Sequence, residues 1–131
     1  MDNFNKKMVA TAAFLAAVAI GLGAFGAHGL KNLVPAEAVL SFQTGVRYQM
    51  YHALAILFLG IAPVISVKMK WAVFWPFALG TVFFSGSIYL LALNSLLGAD
   101  VSFLGPLTPL GGLLFIVGWL QLARAVLKRK R

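Results

Sequence analysis

The sequence predicts an all-α integral membrane protein, a four-helix bundle with both termini cytoplasmic, on three observations. Of the 131 residues, 61% are hydrophobic and 11% charged, where a soluble domain carries about 25% charged residues. Those charges punctuate four uncharged runs, Met8–Leu30, Tyr48–Val67, Trp71–Ala99 and Val101–Ala123, each of 20 residues or more. Each run is therefore long enough to cross about 30 Å of hydrocarbon. None shows the period-two alternation of a membrane β-strand, which leaves helices as the spanning element. This composition excludes a soluble enzyme. The absence of Cys excludes thiolate metal sites, disulfides and a cysteine nucleophile.

A single transmembrane domain over 1–131 is expected, with spans at roughly 8–28, 44–66, 71–96 and 108–127. The first apolar run follows Lys6 and Lys7. It is longer than the h-region of a signal peptide and further spans follow it, so it is expected to be retained as a helix. Within it Ala13, Ala17 and Gly21 recur every four residues, as do Ala19, Gly23 and Ala27, with Gly26 close by. Small residues at that spacing let two backbones approach closely, which places the first helix at the centre of the bundle or at an oligomer contact. Gly21-Leu22-Gly23-Ala24-Phe25-Gly26 matches a dinucleotide-binding pattern in letters only, because it lies inside a membrane run with no acid at the required distance.

Pro35 is expected to open the second helix, with Glu37 in its first turn facing the positive end of the dipole. If that helix runs to Ala62, before Pro63, its 28 residues rise roughly 42 Å. Its first turns, Pro35–Phe42, then lie along the outer interface. Trp71 and Trp75 beside Lys68 and Lys70, and Trp119 near Arg124, read as a cytoplasmic aromatic belt. Thr108 followed by Pro109 reads as the N-cap and first residue of the fourth helix.

Orientation follows from the cations. With the N-terminus inside, the cytoplasmic side collects Lys6, Lys7, Lys68, Lys70, Arg124, Lys128, Arg129, Lys130 and Arg131, against Lys31 and Arg47 outside. A nine-to-two distribution is the positive-inside signal, so the net charge of +8 implies membrane lipid and no nucleic acid as partner. The expected location is the cell (inner) membrane, crossed several times.

The three acids, Asp2, Glu37 and Asp100, all fall outside the spans. That excludes proton-coupled drug export through an embedded carboxylate and paired-carboxylate hydrolysis. The remaining polar residues include His28, Arg47, Tyr48, Tyr51, His52, Ser85, Ser87, Tyr89 and Asn94. The topology puts them in the outer half of the bilayer, with Ser85 and Ser87 nearer the middle. Thr44, Tyr48 and His52 share one helix face, and Arg47 and Tyr51 a neighbouring one. Two readings stay open. Arg47 can snorkel, the tyrosines join an aromatic belt and His52 bond a neighbouring helix; or the group forms an outward polar pocket for a small molecule, headgroup or ion. His28 and His52 lack a third ligand, so no metal is expected, and no cofactor or catalytic residue is indicated. The functional expectation is a non-enzymatic binding or membrane-organising protein. The alternative is a small transporter or channel formed by a homo-oligomer, since one chain offers no polar path across the membrane.

Four motifs occur in order: Gly23-Ala24-Phe25-Gly26-Ala27-His28-Gly29-Leu30, Tyr48-Gln49-Met50-Tyr51-His52-Ala53-Leu54-Ala55, Phe84-Ser85-Gly86-Ser87-Ile88-Tyr89-Leu90-Leu91-Ala92-Leu93 and Gly105-Pro106-Leu107-Thr108-Pro109-Leu110-Gly111-Gly112. With these, the chain from about Phe14 to Trp119 resembles the small membrane proteins grouped as domain of unknown function 423. The resemblance implies a bacterial inner-membrane protein of about four helices, with eukaryotic relatives and no assigned reaction. It carries over no catalytic or binding residue.

Overall fold

The computed structural model describes residues 3–129; Asp2, Lys130 and Arg131 lie outside the described residues. Four long helices follow one another: α1 (Lys6–Ala27), α2 (Ala36–Ile61), α3 (Val67–Ala92) and α4 (Leu107–Leu127). Among the described residues there is no strand. Three of these segments, those containing α1, α3 and α4, are long and apolar enough to cross a membrane. The second helix falls short of that standard because it carries Glu37, Ser41, Gln43, Thr44, Arg47, Gln49 and His52.

Local chemistry sets each boundary. The side chain of Asn5 accepts from the backbone N–H of Lys7 and of Met8, both at 3.1 Å, and so starts α1. Pro35 precedes α2 and Glu37 occupies its first turn. Pro63 ends it at Ile61 by forcing Ala62 into an extended conformation. Ser66 caps α3 by accepting from Met69 N at 3.3 Å. The fourth helix begins at Leu107 after Pro106, with no side-chain cap. Thr108 is therefore not the N-cap expected of it; its hydroxyl bonds Ser87 at 2.6 Å instead. In the connection before α4, Asn94 Oδ1 accepts from Val101 N at 2.8 Å. There too the Ser102 backbone N–H holds the Asp100 carboxyl below the usual carboxylate range.

The helices form two antiparallel hairpins. Along α1–α2, Gly26 rests on the ring of Phe42 near one end and Gly60 on Met8 and Val9 near the other. The two helices thus run side by side over their common length, and α2 extends through the same thickness as its apolar partner. Between α3 and α4 the approach is closer. A Cβ on Gly111 would stand 2.7 Å from Phe84 Cα, one on Gly118 2.5 Å from the Phe77 ring, and one on Gly80 2.6 Å from the Phe115 ring. Opposite Gly111, α3 widens into a π-helical stretch, Thr81–Gly86, one turn beyond Pro76. This widening turns Ser85 toward α2 while Phe84 faces α4.

The small residues expected to pack on α1 divide: Ala19 and Gly26 are buried and Gly23 meets Val46, while Ala13 and Ala17 are exposed and Gly21 has nothing near it, so that stripe makes no close approach within the chain. The helix is peripheral, with α2 as its chief helical neighbour. Spacing alone showed that a close approach was available but not on which face it occurs.

Buried polar groups then tie the hairpins together. Gln49 Nε2 donates to Leu15 O at 2.8 Å and its Oε1 accepts from the Tyr89 hydroxyl at 2.7 Å, joining α2 to α1 and α3. Ser85 donates to Gly45 O at 2.7 Å. At the basic end the fully buried Lys70 donates to Asn3 O at 2.6 Å and to Gly60 O at 3.3 Å. Asn3 Nδ2 bonds Pro63 O and Ile65 O, which closes the N-terminal segment over the α2–α3 corner. The end of α4 lies beside the same corner, since Ala125 and Lys128 share a depression with Val64 and Ser66.

Two outcomes follow for stability in detergent. Gly111→Ala forces a methyl into the Phe84 backbone and should cost about 1–3 kcal/mol, lowering the thermal midpoint, while Gly21→Ala should leave it unchanged. Gln49→Leu strands the part-buried Tyr89 hydroxyl and should also cost about 1–3 kcal/mol; Tyr89→Phe added to it should recover part of the loss.

Candidate functional site: a groove between the second and fourth helices

The residues singled out from the sequence do not meet in one pocket. His28 caps α1 and is exposed. Arg47 is exposed, with Nη2 donating to Thr44 Oγ1 at 3.1 Å. Tyr51 is exposed beside Tyr48, their rings 5.6 Å apart. Ser85, Tyr89 and Ser87 are engaged in the interhelical bonds to Gly45, Gln49 and Thr108, and Asn94 organises a loop. The outer-half grouping needs correction for His52. It stands nine residues before the end of α2 at the basic side, a rise of about 14 Å, which is near mid-height.

What the structure does bring together is an aromatic wall around His52. Its imidazole is buried, 3% exposed, and lies flat against Phe115 of α4, centroids 3.6 Å apart and planes 9° from parallel. Phe77 of α3 meets its edge at 5.1 Å. Trp119 Nε1 lies 3.0 Å from His52 Nε2, and His52 Nδ1 lies 2.8 Å from Tyr48 O. An indole N–H can only donate and a carbonyl can only accept. His52 Nε2 is therefore the acceptor, and Nδ1 carries the hydrogen that it donates to Tyr48 O. Both ring nitrogens are thus engaged.

Trp119 was expected at a membrane boundary because of Arg124. The helix continues to Leu127, so Trp119 sits two turns inside it and serves as the partner of His52. Trp119 is the polar contributor that reading the sequence by depth did not select; Gln49 falls by depth within the Arg47–His52 group, and its position one turn before Ala53 on the buried side of α2 gives its facing direction.

Beside this wall lies a groove of about 620 Å³. Tyr48 and His52 line it from α2, Phe84 from α3, and Pro109, Gly112, Leu113, Phe115, Ile116 and Trp119 from α4. Its surface is overwhelmingly apolar. Leu113 and Ile116 are 60% and 56% exposed, so the groove opens sideways, along the flank of the bundle. Gly112 makes room for it, because a Cβ there would come only to 3.8 Å from Phe84, ordinary contact. Among the described residues no group of three metal-binding side chains occurs, and no buried side-chain polar atom is left without a partner. The wall is equipped to hold an apolar body, with the Tyr48 hydroxyl as the polar group not engaged within it.

Residues 22–112 match the family described as protein of unknown function (DUF423). The UPF0382 membrane protein of Staphylococcus saprophyticus is 43% identical over 124 residues, covering 94% of this chain and 98% of the relative. The UPF0382 membrane protein YwdK of Bacillus subtilis is 38% identical, covering 94% and 98%. A UPF0382 membrane protein of Haemophilus influenzae is 34% identical, covering 99% and 98%. No solved structure matches. Full-length likeness to proteins named for the membrane agrees with the apolar helices, and the chain belongs to this DUF423 family of membrane proteins of unknown function.

Proposed function

We propose that this protein is a non-enzymatic, four-span protein of the cell membrane that holds a hydrophobic molecule in the groove between α2 and α4. The observation that carries the reading is the groove itself. It has the volume and apolar lining of a small-molecule site, and its side opening faces where lipid would lie. The ring nitrogens of His52 and the indole N–H of Trp119, polar atoms that could have lined a hydrated path, are instead bonded within the protein, which favours retention of an apolar ligand over conduction by one chain. That α2 runs beside α1 for its whole common length supports a fourth crossing. The clustering of Lys6, Lys7, Lys68 and Lys128 at one end supports cytoplasmic termini.

A homo-oligomer is the companion proposal, supported by the exposed small face of Ala13, Ala17 and Gly21 on α1. That face lies on a different helix from the groove walls, so ligand binding does not require assembly. An embedded acid, thiol or metal set, which an enzyme reading would need, is not found among the described residues.

Gly112→Leu tests the groove because it fills the space without meeting backbone. Wild-type protein extracted in mild detergent and examined by native mass spectrometry should retain lipid. Gly112→Leu should lose most of it with an unchanged thermal midpoint. Equal retention by the two proteins would remove the groove as the site.

A further inference from the structure

We propose that the ligand is a zwitterionic, amine-bearing phospholipid of the phosphatidylethanolamine type, with one acyl chain in the α2–α4 groove and its head in a second cavity next to it. The proposal rests on the reading of the groove as a lipid site. The second cavity, of about 430 Å³, lies between α2, α3 and α4 toward the end opposite the basic cluster, with Glu37, Ser41, Thr44 and Thr108 on its polar lining. It adjoins the apolar groove along the same seam. Thr44 stands one helical turn from Tyr48 and Thr108 one turn from Gly112, and Tyr48 and Gly112 both line the groove. Together the two spaces grade from a cavity at the bundle end, where Glu37 and three hydroxyls stand among Ala38, Ile88, Leu91 and Ala92, to an almost wholly apolar groove toward mid-height.

The order of charges along this seam selects the headgroup. Glu37 is outermost and its carboxylate makes no hydrogen bond or ion pair with any described residue. Inward, the exposed Arg47 guanidinium donates at 3.1 Å to the hydroxyl of Thr44, a residue of the cavity lining, and makes no ion pair with a described residue. Ser41, one turn from Glu37, also lines the cavity. A ligand that matches must present a hydrogen-bonding cation outermost, an anion next and an apolar chain last. An ethanolamine ammonium over Glu37, its phosphate against Arg47 and Ser41, and an acyl chain along Leu113 and Phe115 satisfy that order. A phosphatidylglycerol head brings no cation to Glu37, so the carboxylate would face a net anionic ligand. At the edge of hydrocarbon such unlike and like pairings count for more than in water.

The test uses full-length protein in nanodiscs of equal phosphatidylethanolamine and phosphatidylglycerol with identical acyl chains, followed by mild extraction and quantification of retained lipid. The wild type should retain the ethanolamine lipid enriched roughly tenfold over the glycerol lipid, the factor of one charge-assisted hydrogen bond. Glu37→Gln should bring that ratio back to the bulk ratio while lipid is still retained, and Gly112→Leu should lose both lipids. Retention without preference, a preference for the glycerol lipid, or an enrichment that survives Glu37→Gln would overturn the headgroup assignment and leave the groove reading intact. No retained lipid in the wild type would overturn both.

Discussion

Gln49 holds three of the four helices in register. Its backbone belongs to α2, its amide nitrogen donates to the carbonyl of Leu15 on α1, and its amide oxygen accepts from Tyr89 on α3. In hydrocarbon an amide has no water to turn to, so an inward-facing Gln must find partners on its neighbours or carry a desolvation cost of several kcal/mol. The same constraint settles the other inward polar groups. Ser85 bonds Gly45, Ser87 bonds Thr108 and His52 bonds Trp119, each across a different pair of surfaces. Apolar packing between membrane helices gains little from leaving lipid, because lipid is equally apolar. These bonds therefore specify which helix faces which, and the glycines decide how near they come.

Two adjacent glycines on α4 show how that division produces a site. Gly111 lies against the backbone of Phe84, so it seals α4 to the π-helical stretch of α3. Gly112, one residue on and rotated by a third of a turn, faces open space at the groove. The first glycine closes the bundle and the second leaves a slot on its flank. Because His52 and Trp119 are bonded to each other, the slot is walled largely by rings and aliphatic carbon. Its character is thus a by-product of how the interior is satisfied.

The helices were legible because charge is scarce, and Pro35 and Pro63, read in the sequence as the limits of the second helix, stand where it starts and stops. The site was legible in its residues but not in its grouping. Sorting polar residues by depth put Arg47, Tyr48, Tyr51 and His52 together, whereas in the structure Tyr48 and His52 share the groove and Arg47 and Tyr51 lie outside it. Depth is read from one helix alone, but azimuth has meaning only relative to neighbours whose placement one sequence does not supply. Trp119 was legible as part of an aromatic belt near Arg124, but not as the partner of His52, because that pairing depends on which face of the fourth helix meets α2. The seven-residue spacing of Gly111 and Gly118 was available in the sequence as a sign of close approach, more telling here than the stripe of Ala13, Ala17 and Gly21 that faces outward.

The account turns on inward polar groups being paired between helices, and His52 reports on that most directly. Nitrogen-15 spectroscopy of histidine-labelled protein in a lipid bilayer should show His52 with hydrogen on Nδ1 and a hydrogen-bond-accepting Nε2 that correlates through space with the Trp119 indole N–H. A protonated Nε2, or an Nε2 unaffected when Trp119 is replaced by Phe, would contradict the pairing and with it the packing of α2 against α4.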